Sequence, residues 1–346
     1  MSTEFPALLG RLLSARGKEG VDAADVRAAF DAILAGGWTS VQVAAFAVAL
    51  RMHGESAEVI VAAAEAMRAA MTAVRHELPI VVDTCGTGGD GAHTLNLSSA
   101  AAVVVAACGV AVAKHGNRSV SSRCGSADVV EALGIPVDLD PGRQHQVLGE
   151  VGIAFLFAPA HHPALKHAAQ ARRELGTRTI FNALGPLVNP ARATHQLVGV
   201  YEDALRPIAA RALGRLGVRR AWVVRGEDGL DEVSPCAPTR VSELGEDGDV
   251  RERVVTPEDF GVSPVERSAI AGGDASSNAS VIDALLEGKR HPAREAVVLN
   301  AAAALALATG EEPKDAAERS RRAIDGGAAR ATLEVWRRVA RRVRGA

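Results

Sequence analysis

The chain has 346 residues, and a domain commonly takes roughly 100–200, so two domains are expected. Hydrophobic residues make up 48% and charged ones 23%, which excludes intrinsic disorder and provides for a large apolar core. A net charge of −2 and an aromatic content of 3% exclude a nonspecific nucleic-acid surface, electrostatic or base-stacking.

Cys85, Cys108, Cys124 and Cys236 show no C-x-x-C spacing. Free thiols in a reducing compartment are therefore expected, rather than a disulfide scaffold or a zinc site. The opening Met1-Ser-Thr-Glu-Phe-Pro carries no basic leader, and the longest apolar stretch, Ala100 to Ala113, is shorter than the ~20 residues of a membrane span. A soluble cytoplasmic protein is expected, with neither membrane nor nucleic acid as a partner.

Residues 1 to 75 read as successive helices. Ala24–Leu34 is apolar at helical spacing and stops at Gly36-Gly37; Ser40–Met52 follows with Ser40 as N-cap; Ser56–Val74 opens on another serine. The segment carries no chemistry and suits a small helical domain or a subunit interface. From Leu78 the pattern changes. Ile80–Val82 predicts a strand into a glycine-rich loop, Ser98–Cys108 a helix, Val110–Ala113 a second strand into a polar Gly/Ser loop, and Ala127–Leu133 a helix. This order implies an α/β domain over 76–346 with a mostly parallel central sheet and ligand loops at the carboxyl ends of neighbouring strands. Further strands are expected at Ile153–Phe157, Gln196–Tyr201 and Ala221–Arg225, and helices near Ile208–Leu216, Ser277–Leu286, Glu295–Ala308 and Pro313–Asp325. The Ala-rich stretch 161–181 is also helical and is a candidate to join the N-terminal helical domain. Residues 234–265 read as loops with short strands.

Four constellations carry chemistry. In Asp83-Thr-Cys-Gly-Thr-Gly-Gly-Asp-Gly91, the glycines at 86, 88, 89 and 91 let backbone N–H groups converge on an anion. Asn96, Ser98 and Ser99 open the next helix, whose terminus favours phosphate. Gly86-x-Gly88-x-x-Gly91 matches the dinucleotide fingerprint in form, but no Asp or Glu occurs between Gly91 and Asp128 to hold a ribose, and no Gly-Lys-Ser/Thr makes a P-loop. Asp90 inside the loop would repel a pyrophosphate unless it met a metal or a sugar hydroxyl. A dehydrogenase is thus a weak alternative.

Lys114-His-Gly-Asn-Arg-Ser-Val-Ser-Ser122, closed by Gly125-Ser126, brings cations and hydroxyls to the adjacent strand end. Two such loops can hold one polyanion between them. Asp231-Glu232 places neighbouring carboxylates in a turn, where oxygen donors select Mg²⁺ bridging to substrate phosphates. Arg172-Arg173 and the following stretch to Asn182 offer guanidinium forks for a small carboxylate. His161-His162 reads as structural or capping, and the arginines at 337, 338, 341, 342 and 344 as a solvated helix C-terminus.

Together these segments resemble the anthranilate phosphoribosyltransferase family. The resemblance rests on G-T-G-G-D at 86–90, K-H-G-N-R at 114–118, G-S-A-D-V at 125–129, R-x-x-L-G at 172–176, L-G-P-L-x-N-P at 184–190 and the acidic pair at 231–232. It runs from the helical N-terminal region to Ala323-Ile-Asp-Gly-Gly-Ala328. It implies a helical domain plus an α/β domain of nucleoside-phosphorylase-like topology, dimeric through the helical domain. It also implies Mg²⁺-assisted transfer of phosphoribose from 5-phosphoribosyl 1-diphosphate (PRPP) to the amine of anthranilate, in tryptophan biosynthesis.

Carried across, Gly86, Gly89, Asp90, Thr94, Asn96, Leu97, Ser98, Ser99, Lys114, His115, Gly116, Asn117, Arg118, Ser119, Val120, Ser121, Ser122 and Ser126 would hold PRPP. Ser98, Asp231 and Glu232 would hold metal; Gly86, Asn117 and Arg172 would hold anthranilate; Lys114 and Asp90 are the catalytic candidates. His93, Cys124 and Pro235-Cys236 depart from the family pattern without removing a donor. Pyrimidine nucleoside phosphorylases share the fold but spell the glycine loop differently and need no Asp-Glu pair. Nucleic-acid-binding homologues keep the fold without these motifs.

Overall fold

The computed structural model describes residues 5–17, 20–119 and 123–345. Its N-terminal part comprises helices α1 (Phe5–Ser14), α2 (Ala23–Leu34), α3 (Ser40–His53) and α4 (Ala57–Ala70). The starts of α2, α3 and α4 are each fixed by a side chain that satisfies an orphan amide. Asp22 accepts from Ala24 N at 2.8 Å, and Ser56 accepts from Val59 N at 3.3 Å. For α3 the cap is Thr39, not the expected Ser40. Its hydroxyl accepts from Gln42 N while the Gln42 side chain returns to Thr39 N, a reciprocal box one residue earlier.

The remainder is a seven-stranded sheet with helices on both faces. The strands are β1 (Val81–Gly86), β2 (Ala111–Gly116), β3 (Ile153–Phe157), β4 (His195–Gly199), β5 (Arg220–Gly226), β6 (Thr239–Leu244) and β7 (Val250–Val255), in spatial order β3-β2-β1-β4-β5-β6-β7. The first five positions run parallel, and β6 and β7 are antiparallel. The helices are α5 (Leu97–Ala107), α6 (Ser126–Ala132), α7 (Pro141–Val151), α8 (Ala158–His161), α9 (Lys166–Leu175), α10 (Ile180–Leu184), α11 (Leu205–Arg215), α12 (Ala275–Leu286), α13 (Arg294–Thr309), α14 (Pro313–Asp325) and α15 (Ala328–Gly345). The architecture is a small helical N-terminal part plus a larger α/β part, with a mostly parallel sheet. Among the described residues, no helix is long and apolar enough to cross a membrane.

Period-2 alternation in the central strands feeds two cores. Leu197, Trp222 and Val224 join the core under α5 and α13, while Val198, Val200, Ala221 and Val223 join the one shared with α1–α4. Helix α9 packs on α2 and α3, and Ala168, Ala171, Ile180 and Phe181 belong to that second core. Helix α5, apolar after its opening serines, is enclosed by the sheet and by α13, α14 and α15.

From β1 the chain winds outward through β2 to β3, then returns to β4 on the other flank of β1 and winds the opposite way. The β1–β4 boundary is therefore the topological switch point, where α/β sheets open a crevice beyond their carboxyl ends. Gly86 pairs in register with Gly199 there.

Candidate active site

Strand β1 extends four residues past the expected Val82 because its polar residues are buried and satisfied. Asp83 Oδ1 accepts from His115 N at 3.1 Å, Asp83 Oδ2 accepts from Asn189 Nδ2 at 2.8 Å, and the Thr84 hydroxyl donates to Ser98 O at 3.1 Å. The Asn189 amide also donates to Ala113 O at 2.8 Å. The first residue of the glycine motif is thereby tied to the last asparagine of L-G-P-L-V-N-P.

The loop beyond β1 is left-handed at Gly88, Gly89 and Gly91, with φ of 67°, 79° and 74°, and at His93, with φ of 50°. Glycine meets that requirement without strain, whereas His93 does not. The loop's far side is pinned by residues that carry no motif. Leu95 N donates to Ile270 O, Gly272 N donates to His93 O, and Asn278 Nδ2 donates to Asn96 Oδ1 at 2.9 Å. Ser99 Oγ is buried without a partner.

The second loop is organised by Asp128. Its carboxylate accepts from Gly125 N at 2.8 Å, Ser119 N at 3.2 Å and Arg118 Nη1 at 2.9 Å, which explains the aspartate of G-S-A-D-V. Ser126 Oγ donates to Asn117 O at 3.3 Å, so Asn117 and Ser126 stand together, and Gly116 has no room for a Cβ beside Ser126. Val120, Ser121 and Ser122 lie outside the described residues. Arg118 also pairs with Glu131 at 2.9 Å and is engaged by two acids.

Lys114 lies beneath the first loop. Only 2% exposed, its ammonium donates to Thr84 O and, at 3.2 Å, to Ser98 Oγ. Burial pushes it down, while Asp83, Cys85 and the acidic pair oppose that.

The acidic pair follows β5 in a bend and meets the first loop. Asp231 Oδ2 accepts from Gly88 N at 2.9 Å, and Glu232 Oε1 accepts from Ser98 N, in the first turn of α5, at 3.3 Å. A Cβ built on Gly86 would stand 2.9 Å from Asp231 Oδ2, and one on Gly199 would overlap the Asp231 carbonyl. Desolvation, then the nearby Asp90 charge, pushes Asp231 up to about 7; desolvation and Asp231 push Glu232 up to about 8. Two desolvated carboxylates beside a hydroxyl form an oxygen donor set that a divalent cation would neutralise. Thr84, Ser98, Glu232 and Asn300 line one recess.

Arg172 lies on α9, its guanidinium 5.6 Å from the Phe181 ring centre. Burial lowers its pKa, and it has no carboxylate partner among the described residues. A desolvated, unpaired guanidinium lacks an anion. His115 and the tandem His161-His162 form a buried cluster: the rings of His115 and His162 are 5.2 Å apart, and all three Nε2 atoms lack partners. The C-terminal arginines are mostly paired, not simply solvated: Arg337 with Asp283, Arg342 with Glu150, Arg344 with Asp138.

Asn278 and Asn300 escaped the sequence reading, since a lone asparagine inside a helix carries no local signal, and Asn189 was quoted within its motif without a role. Arg178 was passed over inside a stretch read for Arg172.

Residues 78–330 match a family model described as glycosyl transferase family, a/b domain, and residues 7–71 match that family's helical bundle domain. The chain is 54% identical to the anthranilate phosphoribosyltransferase of Myxococcus xanthus, over 87% of this chain and 89% of that protein. It superposes on the crystal structure of anthranilate phosphoribosyltransferase from Thermus thermophilus with a TM-score of 0.90 at 38% identity, covering 96% of this chain and 99% of that one. The Saccharomyces cerevisiae enzyme in complex with PRPP and Mg gives a TM-score of 0.89 at 28% identity, covering 98% and 99%.

Proposed function

The chain belongs to the anthranilate phosphoribosyltransferase family, and on that premise we propose that it transfers the phosphoribosyl group of PRPP to the amine of anthranilate, releasing pyrophosphate, in tryptophan biosynthesis. The observation that most supports this is the meeting of Asp231 and Glu232 with the amides of Gly88 and Ser98 at the switch point. Phosphate cradle and cation donors then share one crevice.

Displacement at ribose C1 develops oxocarbenium-like charge while negative charge grows on the diphosphate. Asp231, Glu232 and Ser98 would hold Mg²⁺, which when bound would supply positive charge to that leaving group. The backbone of Gly86–Gly91 and the first turn of α5 cradle phosphate oxygens, and the second loop, with Asn117, Ser119 and Ser126, closes on the ribose phosphate. Lys114 raises the potential of the first loop from below and holds Ser98 in place. Asp90 serves a sugar hydroxyl or a cation. Arg172 takes the anthranilate carboxylate, with Gly86 and Asn117 beside the acceptor. The aromatic amine is already a neutral nucleophile, so positioning and electrostatics suffice without a strong base.

We assign residues 1–75, joined by 161–181, to the helical domain and the rest of 76–346 to the catalytic domain. We also assign a homodimer through the helical domain. Val41, Val48 and Met52 form an exposed apolar stripe on α3, with Leu13 exposed on α1, and a second copy would cover them. Sedimentation should give a dimer that Met52→Glu weakens; a wild-type monomer at micromolar concentration rejects this. A reducing cytoplasm suits the four free cysteines.

The decisive assay is loss of anthranilate fluorescence on mixing with PRPP and Mg²⁺. Loss that Asp231→Asn with Glu232→Gln abolishes supports the reading; no loss with wild-type protein overturns it.

A further inference from the structure

The leaving diphosphate needs a counter-charge that the motifs supply only in part. Lys114 is committed beneath the loop to Thr84 O and Ser98 Oγ, and Arg118 is committed to Asp128 and Glu131. Among the described residues, one cation beside the first loop is uncommitted. Arg178, in the link between α9 and α10, is exposed and has no ion pair among the described residues. Its guanidinium stacks on Tyr201 with the carbon 4.4 Å from the ring centre.

Tyr201 is itself anchored to the loop, its backbone N donating to Thr87 Oγ1 at 2.9 Å while Thr87 N donates to Gly199 O at 2.9 Å. The stack holds the guanidinium against the loop: a Cβ on Gly89 would stand 2.9 Å from Arg178 Nη2. Asp231 bonds the neighbouring Gly88, so carboxylate and guanidinium flank the same two residues. A guanidinium stacked on a ring keeps its in-plane N–H groups free, the arrangement that engages phosphate bidentately.

We propose that Arg178, held by Tyr201, binds the diphosphate of PRPP across the Gly88-Gly89 backbone from the metal carboxylates, and stays with it as pyrophosphate leaves. This rests on the transferase reading for its substrate. It adds a binding residue outside the six motifs, and it gives Gly89 a second reason to lack a side chain, because any Cβ would meet the guanidinium.

The test compares wild type, Arg178→Ala, Arg178→Lys and Tyr201→Leu. Calorimetry with pyrophosphate and Mg²⁺ is paired with separate KM values for PRPP and anthranilate, and with thermal melts. Charge-assisted hydrogen bonds predict a roughly 10- to 100-fold weaker pyrophosphate Kd and higher PRPP KM in Arg178→Ala. The anthranilate KM should stay within about two-fold and the melt unchanged. Arg178→Lys should recover part of the loss, since it keeps the charge without the fork, and Tyr201→Leu should reproduce a milder form of it. Unchanged pyrophosphate affinity in Arg178→Ala overturns the proposal. So does a rise confined to the anthranilate KM, which would place Arg178 on the acceptor. Failure of the transferase reading appears separately, as wild-type protein that consumes no anthranilate while pyrophosphate binding is still measured directly.

Discussion

The side-chain amide of Asn300 satisfies both backbone hydrogen-bonding groups of Val233, accepting from its N–H at 3.1 Å and donating to its carbonyl at 3.0 Å. Asn300 is buried on α13, and Val233 directly follows Glu232, so one side chain from the packed core fixes the exit of the acidic turn. Asn300→Ala leaves a buried amide and carbonyl unpaired, each costing about 1–3 kcal/mol. The melting temperature should fall, and the Mg²⁺ concentration for half-maximal rate should rise several-fold, with kcat partly recovered at saturating Mg²⁺. A lowered melting temperature with an unchanged Mg²⁺ requirement would mean that Asn300 supports only the fold.

Gly199 gives a sharper probe of the same turn. It ends β4 at the register of Gly86, and a Cβ there would overlap the carbonyl of Asp231. Gly199→Ala must displace the Asp231 backbone, and misplacement of about 1 Å can cost roughly 100-fold in rate. We expect kcat/KM to fall by about that factor, with far-UV circular dichroism unchanged. Near-wild-type turnover would mean that the turn shifts without carrying the carboxylate away.

How much of this was legible in the sequence depends on range. The glycine loop, the serine-rich start of α5 and the acidic pair are local patterns, and each lies where strand order predicts. The polar end of β1 was not legible, because Asp83 looks like loop until Asn189, far along the chain, is seen to satisfy it. Helix α7 was missed although Asp140-Pro141 is a sound start signal, with Asp140 accepting from Arg143 N at 3.0 Å. Its face buries only Gln144, Val147 and Leu148, too little to set a helical period. Asn278, Asn300 and Arg178 act on loops distant in sequence, and no window around them contains the partner.

Arg172 separates the two substrates. Its desolvated guanidinium has no acid to pair with, so it should gain most from an acceptor carboxylate. A charge-assisted pair contributes about 1.5–3 kcal/mol, roughly 10- to 150-fold in affinity. Arg172→Ala should raise the anthranilate KM within that range while leaving pyrophosphate binding intact, the reverse of the pattern expected for Arg178→Ala. Equal losses for both ligands would mark Arg172 as structural.

The buried histidines set an acid limit on the fold. Burial, then His161, pushes His162 down to about 4, and burial lowers His161; His115 is pushed down by burial and by both neighbours. A histidine whose folded pKa lies below its unfolded value of about 6.5 contributes stability that is present above pH 6.5, and this is lost as pH falls through the folded pKa. In the unfolded chain these rings take up protons from about pH 6.5 downward, whereas in the fold they remain neutral to lower pH, His162 until near pH 4. For His162 alone the difference amounts to at most about 3 kcal/mol. Buried carboxyls such as Asp83 and Glu55, whose pKa values are raised, act in the opposite sense, so the wild-type profile mixes both effects. His162→Gln isolates the histidine, because glutamine stays neutral throughout. Melting temperatures of wild type and variant should differ least near pH 4 and most above pH 6.5, where the wild type holds its full advantage, so that the variant's curve is the flatter across that window. Parallel curves would mean that His162 protonates in the folded protein as freely as in the unfolded chain, contrary to its burial.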